Sequence, residues 1–79
     1  MVQSYIKMQN GKILVYQPCS DGFVLTSQWN EPAFFKAFHT WEELVAFVGA
    51  EAQIAFNVPL TRDFEDGDWI SISSFVMVA

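Results

Sequence analysis

The sequence predicts a single α+β domain: a mostly antiparallel sheet of four to six strands with one helix, about residues 41–50, packed on one face. Three observations predict it. Short runs with a period of two, separated by Asn-Gly, Asp-Gly and Pro, fill most of the chain. One stretch shows helical periodicity behind a capping signal, and it sits between groups of strands. The chain of 79 residues is one domain, 1–79, near the lower limit for a fold held by its own core.

Tyr5 to Met8 reads as a short strand and Lys12 to Gln17 as its return, around Asn10-Gly11, a two-residue hairpin signal that asks for positive φ at both positions. Pro18 to Gly22 breaks that strand, because Pro donates nothing to a ladder and Asp21-Gly22 is a turn pair. Phe23 to Trp29 is a third strand, with Phe23, Leu25, Ser27 and Trp29 on one face. After Asn30-Glu31-Pro32, Ala33 to His39 is a fourth, with Phe34, Lys36 and Phe38 on one side. Thr40-Trp41-Glu42-Glu43 fits a capping box, and the two acids suit the helix dipole. Trp41, Leu44, Val45 and Val48 form the stripe to be buried, Phe47 lies beside it, and His39 stands at the staple position facing Leu44. The helix is expected to run from Trp41 to about Ala50, or on to Gln53. Ile54, Phe56, Val58 and Leu60 alternate with smaller or polar residues, which favours an extended segment over a helix, and Pro59 makes it an edge strand or a loop entry. Thr61 to Asp68 is an acidic loop. Asp66-Gly67 then turns into a last strand, Trp69 to Val78, with Ile70 and Ile72 on one face and Trp69, Phe75 and Met77 on the other.

Composition narrows the class. Apolar residues make up 52% and aromatics 16%, which excludes intrinsic disorder. Collagen-like, coiled-coil and disulfide-scaffold classes are excluded as well. The net charge is −5, and it is unevenly placed: residues 1–38 sum to +1 and residues 39–79 to −6. Such acidity disfavours direct nucleic-acid binding and suits a partner protein with a basic surface. Cys19 is the single cysteine, so no internal disulfide forms and a reducing compartment fits. The start of the chain lacks the pattern of a signal peptide, and no apolar run has the length of a membrane span. A cytoplasmic protein is the expectation, with no membrane partner.

Catalytic and cofactor chemistry finds little support. His39 is the single histidine, and Cys19 has Asp21 rather than a cation beside it. There is no Gly-rich phosphate loop, no Cys or His metal spacing and no nucleophile elbow. Counting back from Gly67 as the sixth place of a calcium loop puts Arg62, Phe64 and Asp66 at the first, third and fifth places, so two of three ligands fail. The expectation is therefore no enzyme, no cofactor and no metal.

The stretches Asn10 to Tyr16, Asp21 to Leu25 and Ala37 to Val48 resemble small phage-encoded proteins with a hairpin and a Phe-x-Thr-x-Glu-Glu-Leu helix start. Inhibitors of host defence, the anti-CRISPR proteins among them, share that size and acidity. The resemblance implies a phage accessory protein that blocks a host protein sterically in the host cytoplasm. It assigns no residue a role.

Residue chemistry assigns them instead. One helix covers one sheet face, so apolar side chains on the other face are left for a partner. Trp29, Trp69 and Phe75 are the expected apolar anchors, because aromatics dominate interface hot spots. Asp63, Glu65, Asp66 and Asp68 are the expected acidic rim. The alternative is self-assembly, with the apolar face meeting a second copy in a homodimer or larger oligomer.

Overall fold

The computed structural model describes residues 1–28 and 33–74. Six strands form one antiparallel sheet: β1 (Val2–Lys7), β2 (Ile13–Cys19), β3 (Gly22–Ser27), β4 (Phe35–Phe38), β5 (Gln53–Pro59) and β6 (Ile70–Ser71). Their spatial order is β4-β3-β2-β1-β5-β6, and α1 (Trp41–Val48) lies between β4 and β5 in the chain. The first four strands are a meander. The α1 segment then carries the chain back across one face, so that β5 pairs with β1 in the middle of the sheet. The expected α+β class, with one helix on one face, is the fold observed.

Strand alternation sorts the side chains into two faces. Ile6, Leu14, Tyr16, Phe23, Leu25, Phe38 and Ile54 point to the helix side, where Leu44 and Val48 of α1 complete the core. The helix begins where the capping pattern placed it: Thr40 is the N-cap, and its Oγ1 accepts the Glu43 N–H at 3.2 Å. It ends one residue before Gly49, whose φ of 102° suits a residue without Cβ, so the expected extension to Ala50 or Gln53 does not form. His39 is exposed, and Phe38, one residue earlier, takes the buried place expected of it.

Several local expectations are corrected. The β1–β2 turn uses Asn10-Gly11, but only Gly11 has positive φ (93°). The Gly11 N–H donates to the Met8 carbonyl, the Met8 N–H to the Lys12 carbonyl, and the Lys12 N–H to Asn10 Oδ1. That is a three-residue loop ending in a left-handed glycine rather than a two-residue turn. Pro18 does not break β2, which runs on to Cys19. Pro18 stands opposite Phe23, and a pair containing Pro must be a non-hydrogen-bonded one; pairing with β1 has already ended at Tyr16, so no amide is missed on either side. The fourth strand is Phe35–Phe38, shorter than Ala33 to His39.

In β5 the register shifts between Gln3 and Tyr5, so Phe56 and Asn57 together oppose Ser4. Asn57 adopts φ 52° and donates its N–H to Ser4 Oγ at 3.1 Å. This bulge splits the expected single apolar face. Phe56 stays on the helix side against Tyr16, at 6.1 Å, while Val58 stands opposite Gln3 and so joins Ala55 on the other face. The last strand is also shorter than expected. Ile70 opposes Ile54, but at the sheet edge it is 44% exposed. The chain then coils into a 3₁₀ turn, Ile72–Ser74, which places Ile72 at 1% exposure with its N–H on the Ala52 carbonyl. The remainder of that expected strand, 75–79, lies outside the described residues.

Candidate functional site

The sheet face away from α1 carries no α-helix or second sheet among the described residues, and only the loop with the 3₁₀ turn Asp66–Asp68 packs on its β5 end. A row of paired residues crosses it: Phe35, Thr26, Val15, Tyr5 and Ala55. Phe35 is 71% exposed. At the other end of the row, Ala55 and its face-mate Val58 are buried, because the loop after β5 folds back over them.

That loop is organised by Arg62. Its Nη1 and Nη2 donate to Asp68 Oδ2 and Oδ1, both at 2.9 Å, and Nη1 also donates to the Asp63 carbonyl at 2.9 Å. Glu65 Oε1 lies 3.0 Å from Nη1. Asp68 Oδ2 further accepts the Glu65 N–H at 2.8 Å. The Arg62 hydrogen bonds, then the one from the Glu65 amide, hold the Asp68 carboxyl down at about 2. The clamp rounds off a single 3₁₀ turn at Asp66–Asp68 and brings Phe64 onto the open face. There Phe64 meets Tyr5 edge-on at 4.9 Å and Trp69 at 5.0 Å, and Lys7 Nζ sits 4.4 Å from the Trp69 ring.

Between this loop and the sheet runs a half-open groove of about 470 Å³. Tyr5, Val15, Val58, Leu60 and Phe64 give it apolar walls, and Gln3, Gln28, Arg62 and Asp63 give it polar ones. The size lies in the range of small-ligand and peptide-side-chain sites.

The expected site residues fall as follows. Trp69 is on the open face as expected, but half-buried under Phe64 and Lys7. Asp68, 16% exposed at its side chain, and Glu65 are paired with Arg62, so they build the loop. Asp63 and Asp66 are exposed and have no ion-pair or side-chain hydrogen-bond partner among the described residues. Trp29 and Phe75 lie outside the described residues. Sequence reading missed Tyr5, Phe64 and the organising role of Arg62. One signal was available, the lone cation of an acidic run with Asp68 six residues on.

Charge is distributed in a consistent way. All four Lys and Arg side chains are engaged within the chain: Lys7 on Trp69, Lys12 on Phe34 (5.9 Å), Lys36 on Phe38 and Phe47 (5.5 and 5.6 Å), and Arg62 on its carboxylates. Asp21, Glu42, Glu43, Glu51, Asp63 and Asp66 form no ion pair with another described residue. Cys19 pairs with Gly22 on one side of β3, while His39 follows Phe38 on its other side. Two strand spacings put their backbones about 10 Å apart, and no hydrogen bond joins the two side chains. No three His, Cys, Asp or Glu side chains among the described residues are grouped to hold a metal ion. No helix among them is long and apolar enough to cross a membrane. No family model matches the chain, and no curated protein or solved structure matches it either.

Proposed function

We propose that the chain is a non-catalytic binding module that engages a basic protein surface with its open sheet face and the adjoining acidic loop. One observation carries this reading. Among the described residues, each Lys and Arg side chain lies against an aromatic ring or a carboxylate of the chain itself, while Asp63 and Asp66 have no ion-pair partner and adjoin a sheet face at whose far end Phe35 is exposed. A surface with an apolar centre and an acidic margin attracts a basic partner and then excludes water from the contact. Binding of this kind occupies the partner's surface, so its effect is steric. The finer reading, a phage inhibitor of a host protein, rests on the resemblance of the hairpin and helix-start segments alone.

The test is differential capture from host lysate with wild-type protein, the Phe35→Asp variant, and a double variant Asp63→Asn, Asp66→Asn. Phe35→Asp is expected to lose the specific partner while melting as wild type. The double variant is expected to associate more slowly and with a flatter salt dependence. A captured set that is identical for all three proteins would refute the proposal. So would light scattering that shows no monomer at micromolar concentration and a return to monomer in Phe35→Asp, which would assign the face to a second copy.

A further inference from the structure

We infer that the groove between the sheet and the 60–69 loop receives an arginine side chain of the partner, the guanidinium meeting Asp63 and the alkyl stem lying along Tyr5 and Leu60. The inference rests on the binding-module reading and names the chemistry its groove selects. Of the charged residues in 62–68 only Arg62 and Asp63 line the groove, and Glu65, Asp66 and Asp68 follow in the same loop to give the segment a net charge of −3, so the field on the loop side of the groove favours a cation over phosphate or carboxylate. Arg62 itself does not oppose an incoming cation strongly, because Asp68 and Glu65 already compensate it at 2.9 and 3.0 Å. The Asp63 carboxylate has no partner among the described residues, and Asp63 lines the groove. Its backbone is held by the Arg62 bond to its carbonyl, which makes Arg62 a positioning residue for that wall.

Arginine fits this lining better than lysine. Its planar fork can take a carboxylate and a carboxamide oxygen together, and Gln3 and Gln28 supply carboxamides in the same groove. Its face also stacks on aromatic rings, and Tyr5 and Phe64 are both present in the walls. A side chain with short flanking backbone fills a groove of about 470 Å³, which is wide for one side chain alone.

The test uses the full chain, labelled with nitrogen-15, and the blocked tripeptide Ala-Arg-Ala, with Ala-citrulline-Ala as its neutral isostere. The arginine peptide is expected to bind with a millimolar constant, and to shift the amides of Tyr5, Val15, Gln28 and residues 60–64. The citrulline peptide is expected to bind at least about tenfold more weakly, a difference of roughly 1.4 kcal/mol. Asp63→Asn is expected to lose the same factor, and Leu60→Lys, at an exposed position, to abolish binding by placing a competing cation in the groove. Equal affinity for the two peptides, shifts spread over Glu42, Glu43 and Glu51, or no shift at all would overturn the inference. Phe35 does not line the groove, so a partner still lost by Phe35→Asp would then leave the binding-module reading standing while the arginine assignment falls.

Discussion

Leu44→Ala tests the packing on which everything else rests. Helix α1 has eight residues, too few to hold in water without tertiary contacts. Its fully buried side chains are Leu44 and Val48, and Leu44 is at 0% exposure among Ile6, Leu14, Leu25 and Ile54. Those neighbours are strand-borne and fixed by ladder hydrogen bonds on both sides, so they cannot close the cavity that truncation leaves. The loss therefore belongs in the upper part of the range for buried Leu→Ala, about 3–5 kcal/mol. A chain of 79 residues is expected to have about 4–12 kcal/mol in all, so this one change consumes a large share of its stability. The melting temperature should fall by about 12 °C or more, since each kcal/mol is worth about 4–8 °C at this size. Urea unfolding followed by tryptophan fluorescence and far-UV dichroism measures it, with the slope on denaturant unchanged. Ala46→Gly, at an exposed position of the same helix, is the control and should cost about 1 kcal/mol. A loss for Leu44→Ala no larger than the control would show that α1 is not packed on the sheet, and the assignment of the free face would fall with it.

Two further perturbations probe the edge strand and the loop. Gly22 has φ 145°, and a Cβ there would overlap the Phe38 carbonyl oxygen, so Gly22→Ala should cost at least the 1–3 kcal/mol of backbone strain and speed amide exchange in β4; an unchanged unfolding midpoint would refute the close approach. Asp68 titrates at about 2 in the folded chain against 3.8 when free, so its contribution is complete above the free value and is lost as pH falls from about 4 towards 2. Asp68→Asn should flatten that acid limb in a pH series of melting temperatures, and a wild-type limb in the variant would show that the Arg62 clamp adds nothing.

Much of the fold was legible because it follows from local chemistry. Thr40 and Glu43 announced the helix, although its expected run past Gly49 does not form, and alternation in β1 to β3 separated Ile6, Leu14 and Leu25 from Tyr5, Val15 and Val24. What was misread depends on neighbours. Pro18 is tolerated because it falls at a non-hydrogen-bonded pair beyond the reach of β1, a matter of register. The bulge at Asn57 sends Val58 to the face opposite Ile54 although the run alternates without a break. The groove was the least legible feature. Tyr5 and Phe64 meet at 4.9 Å from opposite ends of the chain, and only the docking of β5 against β1 brings them together.

That same docking governs how the chain folds as it is made. β2, β3 and β4 each find their partner in the strand just before, across a short turn, but β1 gains its second partner only when β5 arrives about fifty residues later. During vectorial synthesis the central strand is thus a bare edge for as long as the meander and the helix take to emerge, and its open amides invite pairing with any other extended chain nearby. Closure against β5 removes that edge, and the Arg62 loop, which follows β5 in the chain, then covers Ala55 and Val58. The groove therefore forms only after β5 has docked, and a nascent chain arrested before Leu60 would carry five of the six strands and the helix without β6 or the groove.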